Sequence, residues 1–193
     1  MIQQRKHTKQ MFKMLQKAEA EIQKEGERQL DIQVCAASIA LWRYWGWKTE
    51  RLSRLLEIQQ EIWNEVGKDN NISMIQLLDQ ECDIELTNRE GVSYKEFKFL
   101  NTEIDDGHEL SVPEWIIMRQ KQKTWIECQI MACVFLGMHR KEGWGPKRVK
   151  ELMDFMQHIK AEFNYDPKAM CKELSEVCGY DWMGQRGKLN EKR

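Results

Sequence analysis

The sequence predicts an all-α protein, and three observations carry that prediction. Only three prolines interrupt 193 residues, and the chain is rich in the helix formers Glu, Lys, Gln, Leu and Met. Apolar residues recur at helical rather than alternating spacing. A six-residue corner occurs twice, as Gly46-Trp47-Lys48-Thr49-Glu50-Arg51 and Gly143-Trp144-Gly145-Pro146-Lys147-Arg148. Each copy follows an apolar run and precedes an amphipathic one.

The first element, from Met1 to about Glu25, places Met11, Leu15, Ala18 and Ile22 on one helix face. Gly26 is expected to end or loosen it. Leu30 to Trp45 is the first strongly apolar stretch, with small residues at Cys35-Ala36-Ala37-Ser38 that permit close helix approach. After the first corner, Leu52, Leu55, Leu56, Ile62, Trp63 and Val66 form one stripe, and Gly67 suits a C-terminal cap. Lys68 to Asn71 reads as a turn. Asn70 is the expected N-cap of a short helix burying Met74, Ile75, Leu78 and Cys82.

Residues 87–113 read as a polar connector, with a capping box at Ser93-Tyr94-Lys95-Glu96. Pro113 suits the first turn of a long helix running to about Glu142. Its second half, Cys128 to Met138, is apolar nearly all round and belongs at the centre of a core. Beyond the second corner, Val149, Leu152, Met153, Met156, Ile159 and Phe163 form another stripe. Asp166-Pro167 reads as N-cap plus first helical residue of a helix turning Met170, Cys171, Leu174, Val177 and Cys178 inward. Gly179 closes it. The expected organisation is therefore 1–86 (N-terminal helix and first module), 87–113 (connector), 114–183 (second module) and 184–193 (loose basic tail).

The two modules read as a tandem duplication. A shift of 97 residues superposes Arg43 on Arg140, Gly46 on Gly143, Trp47 on Trp144 and Arg51 on Arg148. It also brings together Leu55 and Leu152, Gln60 and Gln157, Ile62 and Ile159, and Glu65 and Glu162. Past the turn a shift of 96 pairs Asn70 with Asp166, Met74 with Met170, Leu78 with Leu174 and Cys82 with Cys178. The matches fall on stripes and caps, where a shared fold would put them. Each module is then a helix, a corner, a long helix and a short helix.

Composition narrows the function classes. A net charge of -1 leaves no global field to draw the chain onto nucleic acid. The six cysteines form no Cys-x-x-Cys pair and follow no signal-peptide pattern, so a cytoplasmic chain with reduced thiols is expected. The longest apolar run, Ile130 to Met138, is too short to cross a bilayer. No nucleophile elbow, phosphate loop, zinc-protease or dinucleotide fingerprint is present. No catalytic, metal or cofactor-binding residue is assigned.

Several clusters carry a sharper and a blander meaning. Asp105-Asp106-Gly107-His108-Glu109 gathers acid-base groups but misses calcium-loop spacing, and a solvated loop is the simpler reading. Cys171, Cys178 and His158 match no familiar zinc spacing. Arg5, Lys6, Lys9, Lys13 and Lys17 make the first helix basic, as Arg186, Lys188, Lys192 and Arg193 do the tail. Each run suits phosphate contacts, or simply a solvated face. The short helices Ser73 to Asp83 and Lys168 to Cys178 carry no excess of base, which argues against groove reading. Eight tryptophans are many for this length. Trp42-x-x-Trp45-x-Trp47 is too dense for one small module to bury entirely, so Trp42 and Trp45 are candidate partner anchors. Arg51 and Arg148 fall in a first helical turn, where the dipole disfavours a cation. Each is expected to bond helix-end carbonyls or a nearby Glu, or else a phosphate or an acidic partner.

Leu41 to Leu56 and Met138 to Met153 resemble a pattern in small helical proteins of Firmicutes phages and mobile elements. There an apolar helix runs into a Gly, an aromatic and a basic residue, then into an Arg-led helix. Here it reads Trp45-Gly46-Trp47-Lys48-x-x-Arg51-Leu52 and Gly143-Trp144-Gly145-Pro146-Lys147-Arg148-Val149. With the short helices, the resemblance covers about half of the chain. It implies a setting in which proteins inhibit a host defence complex such as a CRISPR effector, or regulate transcription or replication. No functional residue carries over. The expectation is a non-catalytic factor that binds a host protein or ribonucleoprotein complex, an anti-CRISPR or other anti-defence inhibitor that occludes or locks it. The alternative is a nucleic-acid-binding regulator using the basic termini with Arg51 and Arg148. An enzyme built on residues 105–109 ranks third.

Overall fold

Helix α1 runs unbroken from Ile2 to Trp45. It is followed by α2 (Thr49–Val66), α3 (Met74–Cys82), α4 (Val112–Glu142), α5 (Pro146–Glu162), α6 (Pro167–Cys178) and α7 (Trp182–Glu191). The structure, a computed structural model, describes residues 2–66, 73–86 and 112–191. Side chains are described for Lys17, from Ala20 in α1, from Thr124 in α4, and as far as Gln185 and Gly187 in α7. Among the described residues there is no strand, so the fold is all-α as predicted.

Three local expectations give way. Gly26 does not end a helix. A Cβ there would meet only Ile126 at 3.8 Å, and one interior glycine costs just about 1 kcal/mol. The cap of α3 is Ser73, not Asn70. The Gln76 amide donates to the Ser73 hydroxyl at 3.2 Å and the Ser73 amide to Gln76 Oε1 at 2.9 Å. That reciprocal capping box starts the helix three residues after Asn70. The expected tail from 184 is helical to Glu191. The Asp181 carboxylate accepts from the Gly184 amide at 3.0 Å, and the Trp182 indole donates to Asp31 Oδ1 at 2.9 Å. A buried Trp182 thus pins α7 to α1. At the other end of α6, Asp166 and Pro167 cap and open the helix as the sequence predicts.

The core forms where α1 and α4 meet. Residues 32–41 and 128–138 are buried without interruption, so the apolar run Cys128 to Met138 lies at the centre as expected. The two helices run side by side in the same direction. Gln33 donates to Glu127 at 3.2 Å towards one end, and Trp45 lies 4.9 Å from Trp144 at the other. Gly137 brings α2 close to α4, because a Cβ there would stand 2.5 Å from Ile58 Cγ2.

The remaining helices are exchanged between the halves. α1 packs on α5 and α6 far more than on α2, and α4 packs on α2 and α3 more than on α5. Ion pairs follow the same rule. Arg43 at the end of α1 bonds Glu162 at 2.8 Å and Glu173 at 2.9 Å. Arg140 at the end of α4 bonds Glu65 at 3.6 Å, and also Glu81. Mutual bonding holds the Arg140 guanidinium above its ordinary pKa and the Glu81 carboxyl below its own. Neither half closes its apolar faces by itself.

Two stripe residues point outward. Trp63 is 47% exposed, because the buried stripe of α2 centres on Leu52, Leu55, Gln59, Ile62 and Val66 and leaves it on the flank. Val177 is likewise exposed, since the short α6 fully buries only Met170 and Leu174.

Candidate functional site

The two corners come together. Gly46 adopts φ 65° and Gly143 φ 67°, left-handed values that suit glycine. The helix ends are satisfied identically: the Trp47 amide donates to the Leu41 carbonyl at 3.2 Å, and the Trp144 amide to Met138 at 3.1 Å. Each indole is then buried, and the two rings meet edge to face with centroids 6.2 Å apart. Trp45 packs against Trp144 from the side and Phe155 lies 5.5 Å from it. Tyr44 stacks on Phe155 at 3.6 Å and stays partly open to solvent.

This aromatic platform holds the two arginines. The Arg51 guanidinium lies 4.2 Å from the Trp47 ring centroid, and Arg148 4.0 Å from that of Trp144. The ring quadrupole offsets what the helix dipole disfavours. Beyond that the two differ. Arg51 bonds Glu142 at 2.7 Å across the halves, and the Glu142 side chain is only 7% exposed. Arg148 instead reaches a second indole, Trp45, at 5.8 Å. It has no carboxylate partner among the described residues, and the residue is exposed. Among the described residues the expectation of a nearby Glu therefore holds for Arg51, and none is paired with Arg148.

The end of the molecule that carries the corners is basic. Lys48 precedes α2, Arg51 and Arg54 lie near its start, Lys147, Arg148 and Lys150 begin α5, and all six are exposed. Glu50, Glu151 and Asp154 are interspersed among them. An arrangement of this kind can pair with anions or carboxylates; among the described residues no group of three or more His, Cys, Asp or Glu could hold a metal ion.

The other sequence candidates scatter. Trp42 and Trp45 are half-buried and packed on the core, and among the described residues the exposed tryptophan is Trp63. The side chains of Arg5, Lys6, Lys9 and Lys13, and the whole 105–109 cluster, lie outside the described residues. Cys171 lies against Cys35 rather than with Cys178 and His158. Among the described residues no helix is long and apolar enough to cross a membrane.

Sequence reasoning missed two groups. Glu142 matters only through the packing of the halves, and nothing in the local sequence marks it. Lys160 sits on the inner face of α5 and is 1% exposed. Its Nζ donates to Gln33 Oε1 at 3.2 Å and lies 4.0 Å from Glu127, which is partly exposed. Burial pulls its pKa down, against the pull of Glu127 and Cys128. Known protein families, curated proteins and solved structures were each compared with the chain, and none matches it.

Proposed function

We propose that the protein is a non-catalytic binding factor whose recognition surface is the paired-corner end, and that its partner is an acidic face of a host protein or ribonucleoprotein complex. The observation that carries this reading is Arg148. Its guanidinium is held over Trp144 beside Trp45, the residue is exposed, and no carboxylate among the described residues pairs with it. A side chain so positioned loses little entropy on binding, and Arg beside aromatic rings is the composition of interface hot spots. Arg51, already bonded to Glu142, sets the geometry of the platform more than it recruits.

A protein partner fits better than a bare duplex. The net charge is -1, and the six basic residues alternate with Glu50, Glu151 and Asp154 rather than forming a continuous phosphate track. The setting we propose is that of a phage or mobile element, with an anti-defence inhibitor, such as an anti-CRISPR, that occludes or locks its target in the host cytoplasm. The same proposal takes the two halves to descend from one duplicated module, in which the exchanged helices cover the face each half leaves open.

The test uses the full chain as bait in bacterial lysate, with and without nuclease. A captured complex that survives nuclease and moderate salt, and falls tenfold or more with Arg148→Ala but not with Lys172→Ala, supports the reading. Lys172 is exposed on α6 and pairs with Glu176 among the described residues. Capture abolished by nuclease, or DNA binding that weakens steeply with salt, favours a nucleic-acid-binding regulator instead.

A further inference from the structure

Six thiols lie in this fold, and two of them touch. Cys35 Sγ on α1 and Cys171 Sγ on α6 are 3.4 Å apart, although 136 positions separate them in sequence. Cys35 is fully buried and Cys171 is partly open to solvent. The corresponding positions in the other half are Ala132 and Ile75, so packing at this level needs no sulfur.

The remaining cysteines are poorly placed to react. Burial pushes the Cys133 thiol up to about 12 and the Cys82 and Cys178 thiols up to about 11. Cys133 also spends its proton on the Gln59 carbonyl, 3.4 Å away. Cys128 is buried. A disulfide requires the two sulfurs of Cys35 and Cys171 to close by only about 1.4 Å, within the reach of side-chain rotation.

We infer that Cys35 and Cys171 form a reversible redox staple between α1 and α6, closed by a small-molecule disulfide such as oxidised glutathione. The accessible partner acts first. Cys171 loses its proton, and its thiolate attacks one sulfur of the glutathione disulfide. That S–S bond breaks, and one glutathione leaves as a thiolate that takes up a proton. Cys35 then loses its proton, and its sulfur attacks Cys171 Sγ in the mixed disulfide. The second glutathione leaves and takes that proton. Two protein thiols are oxidised to one disulfide, and one glutathione disulfide is reduced to two thiols.

The staple ties the helix that begins the chain to one near its end. α6 packs on α1 across the exchange between the halves, so the bond locks the interleaved arrangement that also seats the corners. Closing so long a loop restricts the unfolded chain strongly.

The full chain, incubated with oxidised glutathione and digested without reductant, gives the answer by peptide mass spectrometry. The expected product is a Cys35–Cys171 linked peptide with the other four cysteines still reduced. The melting temperature should rise by on the order of 10 °C and return with dithiothreitol. Cys171→Ser should lose both effects; if that variant does not fold, the wild-type peptide map decides. Glutathione retained on Cys171, a bond from Cys35 to any other cysteine, or a melting temperature lowered by the cross-link overturns the inference.

Discussion

The corner at Gly46 and the corner at Gly143 share one backbone and differ in what closes over them. Both end a helix in a left-handed glycine, both bury the next indole, and both place an arginine over that indole. Position 142, whose carboxylate Arg51 bonds, corresponds to position 45, whose indole Arg148 faces. Among the described residues, one cation is therefore paired with a carboxylate of the protein and the other is not. The shared part of the turn serves folding, and the unshared part is where a function beyond folding has room to act. The same lesson recurs further along. Trp63 and Lys160 correspond, yet the indole is exposed and the ammonium buried.

The largest effects test the shared part. Trp47→Ala and Trp144→Ala each remove a fully packed indole and should each cost about 3–5 kcal/mol in urea unfolding. Similar losses at both sites sustain the equivalence of the corners. A difference beyond about 3 kcal/mol, larger than the usual scatter for one chemistry, would break it.

Next comes the inverted pair. Lys160→Met replaces a buried cation by an apolar chain of similar length and should leave stability unchanged or raise it by up to about 2 kcal/mol. Trp63→Ser should fall within about 0.5 kcal/mol of wild type. The pH dependence sharpens this. The folded pKa of Lys160 is lowered, so the folded protein binds fewer protons than the unfolded chain between that value and the ordinary lysine value. Stability from this group therefore rises with pH across that window and is level above it. Stability curves measured from neutral to alkaline pH should show the rise in wild type and lose it in Lys160→Met. An identical rise in both would place its origin elsewhere.

Smaller effects belong to the backbone. Gly46→Ala and Gly143→Ala meet no atom within 4 Å, so only the left-handed φ opposes them. About 1–2 kcal/mol is expected at each. A marked excess at one site would mean that its surroundings, and not the turn, make the demand.

Much of this architecture is legible in the chain. The corners, the central Cys128–Met138 run and the Asp166-Pro167 cap depend on local spacing, and spacing is what a sequence displays. The continuity of α1 past Gly26 was not legible, because a tolerated glycine and a terminating one look alike until the packing is known. Nor was the exchange of helices between the halves. Stripes say that a face is covered and not by which helix, so Glu142 carries no sign in its own neighbourhood that it will meet Arg51. Lys160 escaped for a related reason: Gln33 and Glu127, which make its burial tolerable, lie on α1 and α4. Residue type alone does not tell that Trp45 packs on Phe155 and Trp144 from the other half.

The smallest stability effect separates the two arginines most sharply. Arg51→Ala strips the partner from Glu142, whose side chain is only 7% exposed. A carboxylate left in that position should cost about 1–2 kcal/mol, discounted because Arg51 itself is half open to solvent. Arg148→Ala removes a cation lying over two rings and strips no carboxylate among the described residues of its partner, so about 0.5 kcal/mol is expected. Binding should rank them in the opposite order. Arg148→Ala should cost the partner complex tenfold or more, while Arg51→Ala acts only as far as it disturbs the platform. Unfolding and capture measured on the same two variants must therefore give crossed rankings. If both measurements rank them alike, the difference between the corners concerns stability only, and the recognition surface lies elsewhere on the molecule.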